Sequence, residues 1–421
     1  MRWLSAALWW RSESAICPAA LVVKPRLLVV PHIYADDIAV REIELARRLT
    51  SSFEVFILKW SDALHVESKS VLSRRVTQAG VAVRAALKPR SQFKEFDGPC
   101  IIEVPVWQPI LLQRLVGVRK ALSLCRLRNR GTLRAVIRDC EITHLLLANQ
   151  LFGVERLPGV RTFYDVVDWF PEESFSSAEL GRIRSDLSAI GKQVDGMFAV
   201  SKPLGEKLER ECGVQIVPLP NGANIARLRS VAPANVSALR RRLGIEDEFA
   251  IGYIGNHGSF TGVDLAVNAF LTARSRIPKM KLLIIGPADN WSRLLQATRG
   301  EGVIATGNVA PAEIAEYFNA IDIGILAQGK TTGTDFAFQI KVVEYSACRK
   351  CVVSTPLLMW QQLAWPNILL AEAHPEAWAD AFVRARSMSW QPAWDRIVEE
   401  YDWQALADSA AKTMLNAQGR N

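Results

Sequence analysis

No stretch of this 421-residue chain holds the roughly 18 consecutive apolar residues that cross a membrane as a helix. The first 24 residues come nearest to a targeting signal. Arg11 and Glu13 split their apolar part and no clean cleavage site follows, so they read as an extension ahead of the fold. Trp3, Trp9 and Trp10 make that extension a candidate peripheral anchor. Metal-binding spacing is also missing. The seven cysteines are odd in number, lie far apart and form no disulfide framework, which points to reduced thiols in the cytoplasm. Cys348 and Cys351 form a CxxC, but no second CxxC or His pair accompanies it, so no zinc site is expected. That pair ends a helix, whereas thioredoxin-like pairs begin one; both read as core thiols. No GxGxxG fingerprint opens either half, although Gly252, Gly255, Gly258 and Gly262 punctuate one strand-to-helix turn.

What is present is a folded composition, 49% apolar and 22% charged, in a chain long enough for two domains. The net charge of +8 suits an acidic partner such as a nucleotide diphosphate or an anionic membrane, or marks a merely soluble basic protein. Continuous apolar runs at 26–32, 54–60, 99–106, 143–149, 161–168, 195–201 and 214–222 read as strands of a parallel sheet buried on both faces, with helical periods between them. After a polar helix expected at 237–248, the alternation restarts with strands at 249–255, 280–287, 302–308, 322–327, 351–355 and 367–372. Two β/α series in one chain predict two Rossmann-like domains. The expected division is an extension at 1–24, an N-terminal domain at 25–225, a C-terminal domain at 226–400 and a helical segment at 401–421 that packs back across the junction.

Ligands of open α/β sheets bind beyond the carboxyl ends of the strands. After the strand at 322–327 comes "QGKTTGTDFAFQ", a polar loop leading into a helix for which Thr334 or Asp335 is the expected cap. Glu344 then falls on the same helical stripe as Ile340, Val343 and Ala347. A carboxylate on that stripe fits a cleft floor, where it could accept hydrogen bonds from the vicinal hydroxyls of a ribose. The plain alternative is a surface glutamate paired with Lys341. "GYIGNHG" places Gly255, Asn256 and His257 at a strand tip, and a glycine turn there permits close approach of a ligand. "YDVVDWFPEESF" gathers Asp165 and Asp168 with aromatic rings after another strand, either to bind a sugar and act as a base or simply as a solvated acidic loop. Residues 113–139 carry eight Arg/Lys and one Asp, with Leu115, Val118, Leu122, Leu127 and Leu133 in apolar period. A basic amphipathic helix of this kind can lie on an anionic membrane; the alternative is a solvated face. Interleaved aromatics are absent, which argues against nucleic acid.

"KVVEYSACRKCVVST" resembles the K-x-x-E-Y-x-A-x-G-x-P-V-V-x-T signature of GT-B glycosyltransferases, particularly the family 4 (group 1) type. "AVSKPLGEKL" followed by "VPLPNGANIARL", and "IGYIGNHGSFTGVDLAVNAF" further on, are similar to the same family's segments in the same order. The resemblance implies an α/β fold of two Rossmann-like domains whose parallel sheets face a central cleft. It implies an enzyme moving a sugar from a nucleotide-diphosphate donor to a saccharide or lipid-linked acceptor, in surface polysaccharide or glycoconjugate synthesis. It further implies retention of configuration, no bound metal and no bound cofactor. By the same resemblance Glu344 holds the donor ribose, Lys341 lies near the phosphates, Gly255 faces the diphosphate, and Asn221 and Gly222 form the interdomain turn. Asn256, Thr334 and Asp335 join the donor set, and His257, Asp165 and Asp168 are the candidates near the reacting sugar. The chain departs from the pattern at Phe336, where the family often has a second glutamate, with Asp335 beside it. No basic residue follows the glycine turn, and Lys330 is the candidate replacement. The loop after the first strand, "PHIYADDIAVRE", lacks glycine, and Arg349 and Cys351 replace the motif's Gly and Pro. These departures keep two alternatives open: a non-catalytic GT-B protein that binds a nucleotide sugar or a partner, and a nucleotide-sugar epimerase on the same fold.

Overall fold

The computed structural model describes residues 24–32, 41–61, 92–94, 98–105, 118–257, 261–287 and 302–417. Trp3, Trp9, Trp10, Leu115 and Gly258 lie outside the described residues.

The N-terminal domain is laid down as β1 (Arg26–Val30), α1 (Arg41–Leu49), β2 (Glu54–Ser61), β3 (Gln92–Lys94), β4 (Cys100–Pro105), α2 (Val118–Asp139), β5 (His144–Leu147), β6 (Arg161–Val166), α3 (Ser177–Gly191), β7 (Gly196–Ala199), α4 (Lys202–Cys212) and β8 (Val217–Pro218). Its sheet runs β3-β4-β2-β1-β5-β6-β7-β8. Every described pairing is parallel except β3 with β4. Leu27 to Val30 and Leu145 to Leu147 are almost fully buried, because helices or loops cover both faces of the central strands. Chain order reverses at β1, which lies between β2 and β5 and opens a crevice beyond its carboxyl end.

The C-terminal domain follows α5 (Ile225–Arg229) and α6 (Pro233–Arg242). It comprises β9 (Phe249–Ile254), α7 (Val263–Ala273), β10 (Met280–Ile285), β11 (Val303–Gly307), α8 (Ile314–Ala320), β12 (Ile323–Leu326), α9 (Thr332–Phe336), α10 (Ile340–Ala347), β13 (Cys351–Ser354), α11 (Leu358–Leu363), β14 (Ile368–Leu370) and α12 (Pro375–Ser387). The all-parallel order β11-β10-β9-β12-β13-β14 places the second switch point at the end of β9. The chain then passes through α13 (Pro392–Glu399) to α14 (Trp403–Asn416). The apolar face of α14 returns to the N-terminal domain, where Trp403, Leu406, Ala410 and Met414 join Leu27, Leu45 and Phe53 in one buried cluster.

Three local expectations are corrected. The polar helix expected at 237–248 occupies Pro233–Arg242, since Pro233 suits a first turn and Gly244, at φ +66°, stops it. Thr334 and Asp335 do not cap the Glu344 helix. Thr331 closes a capping box with Thr334 around the short α9, the chain turns extended at Ala337, and α10 starts afresh after Gln339. In α2 the buried stripe runs through Ala121, Cys125, Asn129, Leu133, Val136 and Ile137, whereas Leu127, expected on it, is 64% exposed.

Candidate active site

Both switch points open toward the space between the domains. On the C-terminal side, β9 ends in Gly255 at φ +143°, a conformation closed to residues with a Cβ. A Cβ there would also press on the Lys341 ammonium, 2.5 Å away. Lys341 Nζ lies 4.8 Å from the centre of the Tyr253 ring, a cation–π contact that partly replaces lost water. Tyr345 pins α10 to this strand: its hydroxyl accepts from Ile254 N at 2.9 Å and donates to Gly252 O at 3.2 Å. Lys341 and Glu344 are therefore held by a buried anchor that directly follows Glu344 in the same helix. Burial pushes the Lys341 ammonium down to about 8, against the pull of Glu344. It pushes the Glu344 carboxyl up to about 7, against Lys341 and Arg227. Both side chains are half-buried, and among the described residues no direct ion pair joins them, an arrangement suited to a polar ligand that supplies further partners.

Glu344 opens onto a cavity of about 440 Å³ whose walls include Arg47 and Arg48 of α1, Arg227 of α5 and Ile340 of α10. That volume suits a nucleoside. A larger cavity, about 620 Å³, lies at the other ends of β6 and β7, between Lys192, Gly213 and Lys412.

On the N-terminal side, Asp165 at the end of β6 is 1% exposed and pairs with Arg41 Nε at 2.9 Å. Burial raises its carboxyl, with Arg41 opposing. The Arg41 guanidinium also donates to Leu219 O, to Pro220 O at 2.7 Å and to Asn221 Oδ1 at 3.2 Å, tying α1 and β6 to the interdomain segment. Asp168 stands exposed at the edge of the cleft; loss of surrounding water raises its carboxyl, against the Trp169 N–H and the charge of His32. His32, directly beyond β1, donates from Nδ1 to Glu42 Oε1 at 2.6 Å, and its backbone N donates to the same oxygen at 2.9 Å.

The two walls touch. Thr332 N and Oγ1 donate to the two carboxylate oxygens of Glu173, each at 2.8 Å, and Ser201 Oγ donates to Phe336 O at 2.6 Å. Asn221 Nδ2 donates to Phe338 O at 2.8 Å.

Of the residues named from the sequence, Gly255 and Lys341 meet at one corner, Glu344 follows one turn along α10 and couples to Lys341 through charge, and exposed Asn256 accepts the Tyr253 hydroxyl through its carbonyl at 2.7 Å. Lys330 is exposed on the loop before α9. Thr334 Oγ1 donates to Gly329 O at 2.7 Å within its own turn, and Asp335 accepts from Leu358 N at 2.9 Å, tying α9 to the first turn of α11. The Phe336 ring lies 5.5 Å from Lys207 Nζ. His257 is fully buried against Tyr253, and Asp165 is sealed in its ion pair, so neither side chain reaches the cleft in this arrangement. His32, Glu42 and Arg41 were not singled out from the sequence. The only local signal was a histidine immediately after a continuous apolar strand.

The architecture of two facing Rossmann-like domains is GT-B. Residues 248–387, within the C-terminal domain, match the family model described as "Glycosyl transferases group 1". Comparison with curated proteins finds no match. Solved structures similar to the whole chain include Anabaena Alr3699/HepE in complex with UDP, at 15% identity and TM-score 0.61, covering 93% of this chain and 99% of that one. A glycosyltransferase from Rickettsia africae is similar at 13% identity and TM-score 0.66, over 94% and 100% of the two chains. Sucrose-phosphate synthase from Thermosynechococcus elongatus is similar at 15% identity and TM-score 0.63, over 92% and 98%.

Proposed function

We propose that this protein transfers a sugar from a nucleotide-diphosphate donor to a saccharide or lipid-linked acceptor, as a member of the family 4 (group 1) type. The observation that carries the reading is the corner formed by Gly255, Lys341 and Glu344 inside the group 1 domain. The Gly255 turn admits a diphosphate, Lys341 supplies positive charge beside it, and Glu344 accepts from ribose hydroxyls. UDP-sugars are the first donors to test, since Alr3699/HepE was crystallised with UDP and with UDP-glucose. Positive charge and backbone amides can stabilise the leaving diphosphate without a resident metal. The resemblance implies retention, but Phe336 stands where the second carboxylate is expected. A thermal-shift screen of the full chain against nucleoside diphosphates and nucleotide sugars tests the reading. One nucleotide family, at a hundred times its dissociation constant, is expected to add about 2.7 kcal/mol of stability. Stabilisation by none of them rejects donor binding. Binding without turnover, with acceptor extracts present, supports the non-catalytic alternative.

For the acceptor side we infer a peripheral site on the cytoplasmic membrane face. Among the described residues no helix is long and apolar enough to cross a membrane. Helix α2 nevertheless exposes Leu124 (44%) and Leu127 (64%) beside exposed Lys120. Part of its basic charge is already matched, since Glu155 pairs with Arg130 and Arg134. The full chain is expected to sediment with phosphatidylserine vesicles at low salt and to be released at high salt. Leu127→Asp should weaken that binding; equal sedimentation with neutral vesicles would refute the electrostatic part.

A further inference from the structure

The contact between the loop after β6 and helix α9 joins two turns, each of which needs a partner that its own neighbours do not supply. Residues Glu172–Ser174 form one turn of 3₁₀ helix whose N-cap, Pro171, makes no side-chain capping bond. The amide that opens this turn, Glu172 N, donates at 2.6 Å to Thr332 Oγ1 of the facing domain. In α9 the local cap, Thr331, serves Thr334 N and leaves Thr332 N to find another acceptor. That acceptor is one oxygen of Glu173, whose other oxygen takes the Thr332 hydroxyl. Each turn thus caps the other across the cleft, so the two bond sets form and separate together. Gly333 lets the backbones come this close: a Cβ there would lie 3.1 Å from Pro171 N and 3.2 Å from Phe170 C. Behind these bonds sits Lys207 of α4, 6% exposed and paired with Glu172 at 2.9 Å and with Glu211. Its ammonium is 5.9 Å from the centre of the Trp169 ring and 5.5 Å from that of Phe336. Phe336, at the place where a second carboxylate was expected, is therefore part of the plug between the domains. The bonds from Thr332 to Glu173 are exposed, so water can replace them and the contact can open without unfolding either domain.

We propose that this clasp is a reversible gate that seals its flank of the cleft against water while a nucleotide sugar is held on the C-terminal wall. The inference rests on the glycosyltransferase reading above. The clasp lies just beyond Asp168, at the edge of the cleft, and just before α10, which carries Lys341 and Glu344. A bound nucleotide sugar can lose its sugar to water as well as to the acceptor. In that leak the water oxygen bonds to the anomeric carbon and a water proton is released. The bond from that carbon to the diphosphate breaks, and its electron pair leaves with the nucleotide. A gate at this place lowers the leak by excluding water, with no contact to the sugar required. Glu173, Thr332 and Gly333 are positioning residues in this scheme.

The leak is read as release of nucleoside diphosphate without acceptor. The full chain is incubated with the nucleotide sugar that stabilises it most, UDP-glucose being the first probe. A gate whose open form is populated at about 0.1–10% should leak at least about tenfold faster when it is held open. Thr332→Val removes the shared hydroxyl, and Gly333→Val wedges the two backbones apart; each should raise the release by that factor. Both should keep the thermal shift given by the nucleotide sugar. Thr332→Ser retains the hydroxyl and should leak like wild type. A contact that only stabilised the fold would lower the melting temperature in the first two variants and leave the release unchanged. Hydrogen exchange of the wild-type chain reads the same motion without a substitution, and it decides the matter if the variants do not fold. The amides of Glu172 and Thr332 should exchange together, faster than the central strands of either sheet, and both should slow when the nucleotide sugar is added. Unchanged release in variants that still bind the nucleotide sugar overturns the gate and leaves the donor reading intact. Exchange of those two amides only at the rate of the central strands, or with no response to the nucleotide sugar, also overturns it. Absence of a thermal shift with every nucleotide sugar overturns both readings.

Discussion

Arg41→Ala is expected to lower the stability of the protein by about 3–5 kcal/mol, the usual consequence of stranding one member of a buried ion pair. Arg41 is 4% exposed and the Asp165 side chain is fully buried, so water cannot enter to replace the lost guanidinium. Two carbonyls, at Leu219 and Pro220, and the Asn221 side chain lose a donor at the same time. The deficit should depend on pH in a definite direction. Without Arg41, burial raises the Asp165 carboxyl further than it already does. The variant's folded state then keeps a proton that its unfolded state releases, so its deficit grows as pH rises above the unfolded carboxylate range. Urea denaturation at pH 5 and pH 8 checks both points. A loss below about 1 kcal/mol would show that the pair contributes little. Arg41→Lys should recover only part of the loss, because an ammonium cannot span the carboxylate and the linker carbonyls with a planar fork. The double variant Arg41→Met/Asp165→Leu should be more stable than either charge-stranding single change.

The sheets were legible in the sequence because parallel strands buried on both faces leave unbroken apolar runs, as in Leu27 to Val30 and Leu282 to Ile285. The three-residue β3 was not legible, being an antiparallel edge addition too short to show a period. The break between α9 and α10 was missed because the capping box at Thr331 reads, in sequence, like any threonine-rich loop. Glu344 was legible as a carboxylate on an otherwise apolar stripe, and the structure opens Ile340 and Glu344 of that stripe onto a cavity while Val343 and Ala347 stay in the core. Arg41 and Asp165 meet across a separation of 124 residues, which no local pattern encodes. The partnership of His32 and Glu42 is likewise a product of tertiary structure: the strand end and the first turn of α1 meet only when α1 folds back on β1. His257 drew attention from its place in a glycine turn, yet the fold buries it and leaves His32 at the matching switch point.

Glu344→Gln should have two opposite consequences, and their combination identifies the residue as a ligand group. The first is a gain in stability at alkaline pH. Burial raises this carboxyl to about 7, so between the ordinary glutamate range and pH 7 the folded state holds a proton that the unfolded state releases. Wild-type stability therefore falls across that window, and above it the fold carries the full burden of an ionised, half-buried carboxylate. Removing the charge should stabilise the protein by about 1–2 kcal/mol at pH 8, after allowance for solvent at the cavity mouth, and by almost nothing at pH 4. Lys341 works against the gain, since it loses the opposite charge that helps keep it protonated. The second consequence is loss of the donor-dependent thermal shift. An amide can still accept through its oxygen, but it no longer offers a charged acceptor to paired hydroxyls. Calorimetry of wild type and variant at pH 4 and pH 8, with and without the stabilising nucleotide, separates the outcomes. Higher stability at pH 8 together with a lost nucleotide shift means that Glu344 is kept at the expense of the fold because it binds the donor. Unchanged stability at both pH values, with the nucleotide shift intact, would return Glu344 to the role of an ordinary helix residue beside Lys341.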